Sequence, residues 1–112
     1  MAFKKEILRK QKHFNAVYKK GESRGSRYVV VLYRKNGLSY TRVAFLASKK
    51  VGNSVKRNRA RRLMRESLRT MNADLKKGYD IIFVARNTIN GRKCGEVKKC
   101  MYSVLKGTGL LQ

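Results

Sequence analysis

The chain of 112 residues has no proline, no tryptophan, one histidine, two cysteines and only six acidic residues. Each shortage closes off a class of protein. Without proline there is no stiff linker, and no repeat or low-complexity segment divides the chain, so residues 1–112 read as a single domain. Cys94 and Cys100 are too few for a disulfide framework, and with His13 they match no zinc-site spacing. Both thiols are expected to be reduced and structural. Apolar runs such as Val29 to Tyr33 and Ile81 to Ala85 are five residues long, far short of the ~20 a spanning helix needs. The opening Met1-Ala2-Phe3-Lys4-Lys5-Glu6 lacks the apolar core of a secretory signal. A cytoplasmic protein with no membrane partner is the expectation.

The shortage of acids also bears on catalysis. A protein nuclease needs metal-binding carboxylates or a general acid–base pair. Glu6, Glu22, Glu66, Asp74, Asp80 and Glu96 are scattered, with no two of them three or four apart on one helix face. His13 has no evident partner and reads as a surface residue or one that touches a bound partner molecule. No catalytic residue and no metal ligand is assigned. The residues describe a binder without chemistry of its own.

What the chain has in excess is positive charge. Lys and Arg number 29, giving a formal net charge of +23 and a pI near 10.8. Self-repulsion at such a charge opposes compaction, so the chain calls for a polyanion beside it. With 42% hydrophobic residues it is too apolar for a disordered tail. A folded nucleic-acid-binding domain follows.

Periodicity gives the elements. Phe14, Val17 and Tyr18 recur at helical spacing between about Lys10 and Lys20, and Gly21 is a stop signal. Tyr28 to Tyr33 is rich in β-branched and aromatic residues, hence a strand. Asn36-Gly37 suggests a tight hairpin turn to a return strand over Tyr40 to Ala47. A loop over Ser48 to Asn53 precedes a long helix, about Ser54 to Met71. Tyr79 to Ala85 reads as a buried strand. A last helix uses Val97, Cys100, Met101, Val104 and Leu105, and ends at Gly107 and Gly109. The predicted class is α+β, with helices packed on a small sheet.

The long helix divides into two faces. Ala60, Leu63, Met64, Ser67, Leu68 and Met71 gather on one arc, while Arg57, Asn58, Arg59, Arg61, Arg62, Arg65 and Arg69 occupy the rest. The pairs Arg57/Arg61, Arg61/Arg65 and Arg65/Arg69 are like charges one turn apart, which destabilises an isolated helix. Bound phosphates relieve that repulsion, and a guanidinium grips phosphate with two parallel hydrogen bonds where an ammonium cannot. A second constellation is aromatic: Phe14 and Tyr18 lie one turn apart, and Tyr28, Val30 and Leu32 share a strand face by period two. Such rings serve either as core or as a stacking platform for unpaired bases; pattern alone favours core.

The run from Ser48 to Glu66, SKKVGNSVKRNRARRLMRE, resembles the arginine-rich signature of the bacterial ribonuclease P protein family, with Arg57-Asn58-Arg59 at its centre. Phe14, Val17, Tyr18, Gly21, Arg27 and Ile81 to Arg86 extend the likeness from about Lys10 to Leu105. The resemblance implies a ribonucleoprotein that removes the 5′ leader from precursor tRNA, its catalytic subunit being RNA that uses Mg2+. It implies a protein monomer in a 1:1 complex with the catalytic RNA, binding no cofactor itself. It implies an αβββαβα order with a left-handed βαβ crossover, ribosomal protein S5 domain 2-like, against the usual handedness. Lys49, Lys50, Lys56, Arg57, Asn58, Arg59, Arg61, Arg62 and Arg65 are then expected at RNA phosphates. Phe14, Tyr18, Arg27, Tyr28 and Leu32 are expected in a cleft for the single-stranded leader. Two departures are Ala44, where glycine is common, and Arg61, where lysine is commoner; Leu32, lacking a ring, weakens stacking there. A ribosomal or other structural RNA binder fits the same charge without a processing role, and a protein-only nuclease is disfavoured by the scattered acids.

Overall fold

A computed structural model describes residues 6–112; the Met1–Lys5 stretch read above for a leader lies outside the described residues. The elements are β1 (Glu6–Ile7), α1 (Gln11–Lys20), β2 (Glu22–Gly25), β3 (Val29–Lys35), β4 (Arg42–Ala47), α2 (Ser54–Thr70), β5 (Tyr79–Ala85) and α3 (Cys94–Thr108), with one 3-10 turn at Asn87–Ile89. They form one mixed sheet in the order β1-β4-β5-β3-β2, four full strands and a two-residue edge. This is an α+β fold. Apart from β1 the order is the expected αβββαβα.

The expected hairpin does not form. β3 pairs antiparallel with β5 over seven residues, and β4 pairs parallel with the other edge of β5. The late strand therefore inserts between the two that sequence order would join. Gly37 has the positive φ of a turn, at 73°, but Asn36 does not share it. Its amide instead donates to Asp80 Oδ1 at 2.9 Å and to the Tyr40 carbonyl at 3.2 Å, pinning the connection to β5. Burial explains the preference: Ile81, Ile82 and Phe83 are wholly enclosed, which a central strand achieves and an edge strand does not. Because β4 and β5 are parallel neighbours, α2 is the crossover of a βαβ unit.

Alternation along the strands supplies two cores. Val29 and Val31, Val43 and Phe45, and Ile81 and Phe83 face α2 and α3, where Ala60, Met64, Leu68, Val97, Met101 and Leu105 meet them. Ala44 and Ile82 point to the opposite face, where Leu8 and Val17 complete a smaller cluster. The helices thus lie on both faces of the sheet. Two cover one side and α1 alone covers the other, leaving Val30, Leu32, Leu46 and Val84 half-buried.

Gly21 ends α1, though not through a left-handed turn, since its φ is −82°. A Cβ there would sit 2.5 Å from the Val17 carbonyl oxygen and 2.7 Å from that of Tyr33. The chain passes between the last turn of α1 and β3 too closely for a side chain, which is what requires glycine. The last helix runs through Gly107 and stops at Gly109, whose φ of 77° is the left-handed cap.

Candidate nucleic-acid interface

The loop from Ser48 to Asn53 is held from below. Val51 is buried as a plug, and its carbonyl accepts from Asn90 Nδ2 at 2.7 Å. Lys49 and Lys50 immediately precede that plug and are exposed. Asn53 then caps α2, its side-chain oxygen accepting from the Lys56 backbone N–H at 3.0 Å. The loop lysines and the first turn of α2 are fixed to one another.

Along α2 the apolar arc packs as expected: Ala60, Met64, Ser67 and Leu68 are buried, with Leu63 and Met71 packed beside them. The basic residues divide by how they are held. Arg57 donates to the Gly52 carbonyl at 2.9 Å, Arg59 to the Arg92 carbonyl at 2.7 Å, and Arg61 to the Asn58 side chain. Arg65 lies over the Phe45 ring, 5.7 Å from its centroid. Each guanidinium has five N–H donors, so most of its capacity remains. Among the described residues the side chains of Lys49, Lys50, Lys56 and Arg62 have no hydrogen-bond or ion-pair partner. Glu66 is neutralised by Arg69 through two hydrogen bonds, at 2.8 and 2.6 Å. A preset cationic face results, with its one carboxylate already satisfied.

The aromatic residues do not all come together. The Phe14 and Tyr18 rings stack at 6.4 Å, 30° apart, and Leu32 joins Phe14 on the α1 side of the sheet. Tyr18 is 49% exposed, so its ring is available. Tyr28 is not part of this shelf. It precedes the first residue of β3, escapes the strand's alternation, and is buried in the core under α2 and α3. Arg27, expected in the same cleft, also lies off the shelf: it lines a pocket against α3 with Tyr28.

Sequence spacing missed one cluster at the end of the α1 shelf. Arg42 and Asp80 are paired in the β4–β5 register, and Arg42 also donates to His13 Nδ1 at 3.0 Å. His13 is therefore half-buried and partnered rather than a free surface residue. With Nδ1 accepting, the neutral ring carries its proton on Nε2. Burial, and then the Arg42 charge, lower its pKa from the usual histidine value. The strand register joins Arg42 to Asp80 and the packing of α1 brings His13 to them; a linear pattern reveals neither.

Among the described residues no three His, Cys, Asp or Glu side chains stand close enough to hold a metal ion. Asp80, Glu66 and Glu96 each face an arginine instead. No described helix is long and apolar enough to cross a membrane.

The family model described as Ribonuclease P matches residues 3–109. The chain belongs to the ribonuclease P protein family. It is 43% identical over 104 residues to the ribonuclease P protein component of Alkaliphilus oremlandii, covering 93% of this chain and 91% of that one. The component from Caldanaerobacter subterraneus is 40% identical over 105 residues, covering 94% and 90%. Among solved structures, the Staphylococcus aureus RNase P protein superposes with a TM-score of 0.84 at 29% identity, covering 97% of this chain and all of that one. The Thermotoga maritima protein gives 0.81 at 31% identity, covering 92% and 97%. The chain is thus an RNA-binding protein subunit of ribonuclease P, whose family function is processing of tRNA 5′ ends beside an RNA subunit.

Proposed function

We propose that the loop lysines and the cationic face of α2 hold the catalytic RNA, while the α1 shelf holds the 5′ leader of precursor tRNA. Lys49, Lys50, Lys56, Arg57, Asn58, Arg59, Arg61, Arg62 and Arg65 contact RNA phosphates in this reading. Phe14, Tyr18 and Leu32 carry the leader. The observation that supports it most is the division of labour on α2, one arc buried in the core and the other left with unpartnered cations. Phosphate binding is how such a face is neutralised.

The cutting chemistry belongs to the RNA in this reading, with Mg2+ held by that RNA. The protein acts as a monomer, one copy per RNA, in the cytoplasm. Its contribution is to neutralise phosphate repulsion and to add affinity for the one substrate that carries a leader. Reconstitution tests this directly. Precursor tRNA at low Mg2+ is offered RNA alone, protein alone, or both; cleavage is expected with both and not with protein alone. Leader removal by metal-supplied protein without RNA would overturn the assignment of chemistry.

A further inference from the structure

The turn carrying Ser26 to Tyr28 and the outer side of α3 enclose an open pocket of about 480 Å³. That lies within the range of sites that hold a small ligand. It is on the α3 side of the sheet, opposite the α1 shelf. Its floor is fixed. Tyr28 is buried there with the Arg92 guanidinium 5.9 Å from its ring centroid. Beside it the Cys100 thiol donates to Ser26 Oγ at 3.1 Å, and that hydroxyl donates to the Val29 carbonyl.

The rim is charged. Arg27 and Lys99 both line the pocket, both are exposed, and among the described residues neither side chain has a hydrogen-bond or ion-pair partner. The pocket's one carboxylate, Glu96, already has a counter-charge in Arg92 at 3.4 Å. Two unpaired cations over a concave, partly aromatic floor suit a phosphodiester with its sugar. Glu96 and the exposed Ser103 hydroxyl supply acceptors for a ribose 2′-hydroxyl, the group by which proteins tell RNA from DNA. A duplex presents a convex surface; a single strand can enter.

We propose that this pocket holds one nucleotide of single-stranded RNA, with Arg27 and Lys99 on its flanking phosphates. It is an RNA contact separate from α2 and from the α1 shelf, and it does not depend on the roles proposed for them. The strand comes either from the RNA subunit or from the tRNA substrate, and the chemistry is the same for both.

The test uses the assembled ribonucleoprotein. The double variant Arg27→Ala/Lys99→Ala removes exposed, unpartnered side chains and is expected to fold as the parent, checked by urea unfolding. Three affinities are measured across a salt series: protein for the RNA subunit, holoenzyme for precursor tRNA, and holoenzyme for mature tRNA. At least one should weaken by about tenfold with its salt slope reduced by about 1.5, as two lost phosphate contacts require. The affected affinity identifies the strand. Unchanged affinity and slope in all three would overturn the proposal.

A thiol footprint separates this site from α2. Ser103→Cys places a reporter on the pocket, and native Cys94 lines the groove beside Arg59 and Arg62. Alkylation by N-ethylmaleimide, read by mass spectrometry, should slow severalfold at Ser103→Cys in the RNA complex that the double variant weakens. Protection of Cys94 alone would sink this site and leave the α2 reading standing. Protection of Ser103→Cys alone would do the reverse.

Discussion

Arg42 and Asp80 stand side by side on adjacent parallel strands, joined by two parallel hydrogen bonds, Nε to Oδ1 at 2.8 Å and Nη2 to Oδ2 at 2.7 Å. Their side chains are 15% and 7% exposed. Asn36 and His13 attach to the same pair, so it links β4, β5, the β3–β4 connection and α1. Removing one member of a buried pair strands the other charge, at a cost of about 3–5 kcal/mol. Asp80→Ala is expected to lose that much in urea unfolding, and Asp80→Asn less, because its amide oxygen still accepts. A loss under about 1 kcal/mol for Asp80→Ala would show that solvent reaches the pair.

His13 makes part of this link dependent on pH. Burial and the Arg42 charge keep its folded-state pKa below the ordinary value of about 6.5. As pH falls, the unfolded chain takes up the proton first, so stability declines between that value and the lowered one. Above about 6.5 both states are neutral and the contribution is complete. His13→Gln retains an acceptor without titrating and should flatten the stability profile across this interval. Profiles of equal slope would assign the pH dependence to other groups.

How far the sequence carries can be judged at single residues. The α2 boundaries, Ser54 to Thr70 against an expected Ser54 to Met71, were legible because a cap, an apolar arc and a charge run all agree. Tyr79 to Ala85 was legible because Ile81, Ile82 and Phe83 are buried on both faces of the sheet, which leaves an unbroken apolar run. The pairing of β3 was not. Asn36-Gly37 is a local signal, and it lost to the burial that Ile81 to Phe83 obtain only between β3 and β4. Glu22–Gly25, a strand that the resemblance implied, was not placed by the residue pattern because an exposed edge strand has no apolar period to read. Tyr28 was misplaced because period two holds only inside a strand, and β3 begins one residue later.

The phosphate face of α2 has members that differ in kind. Lys49, Lys50 and Arg62 are exposed and unpartnered, whereas Arg57 holds the Gly52 carbonyl. Lys49→Ala/Lys50→Ala/Arg62→Ala should therefore reduce the salt slope for RNA binding by about 2–3 at unchanged stability. Arg57→Ala should reduce the slope by about 0.7–0.9 and also destabilise the loop. Salt titrations of affinity, paired with thermal unfolding, separate the two. A triple variant with the parental slope would remove these residues from the interface.

Gly21 tests the packing of α1 against β3. A methyl group at this position meets two backbone carbonyl oxygens, at 2.5 and 2.7 Å, and neither belongs to a flexible side chain. Relief requires the last turn of α1, which carries the Val17 carbonyl, to open and the chain to move away from the Tyr33 carbonyl of β3. Gly21→Ala should cost about 1–3 kcal/mol, seen as a lower Tm, and a parental Tm would show that the helix end can shift freely. The displacement also moves Tyr18, three residues earlier, so precursor binding should weaken alongside stability.

Tyr18 separates leader binding from folding. The residue is 49% exposed and its ring stacks on Phe14, which is half-buried beside the small core of Leu8, Val17, Ala44 and Ile82. Tyr18→Ala removes the outer ring and leaves that core intact, so stability should change by less than about 0.5 kcal/mol. A base stacked on such a ring contributes about 1–3 kcal/mol, and only precursor tRNA has leader bases to place there. Affinity of the holoenzyme for precursor should drop by roughly 5- to 160-fold, with mature tRNA unaffected. Phe14→Ala should instead lower stability, because Phe14 supports the ring above it and packs on the core below. Equal losses for precursor and mature tRNA in Tyr18→Ala would move the leader off this shelf.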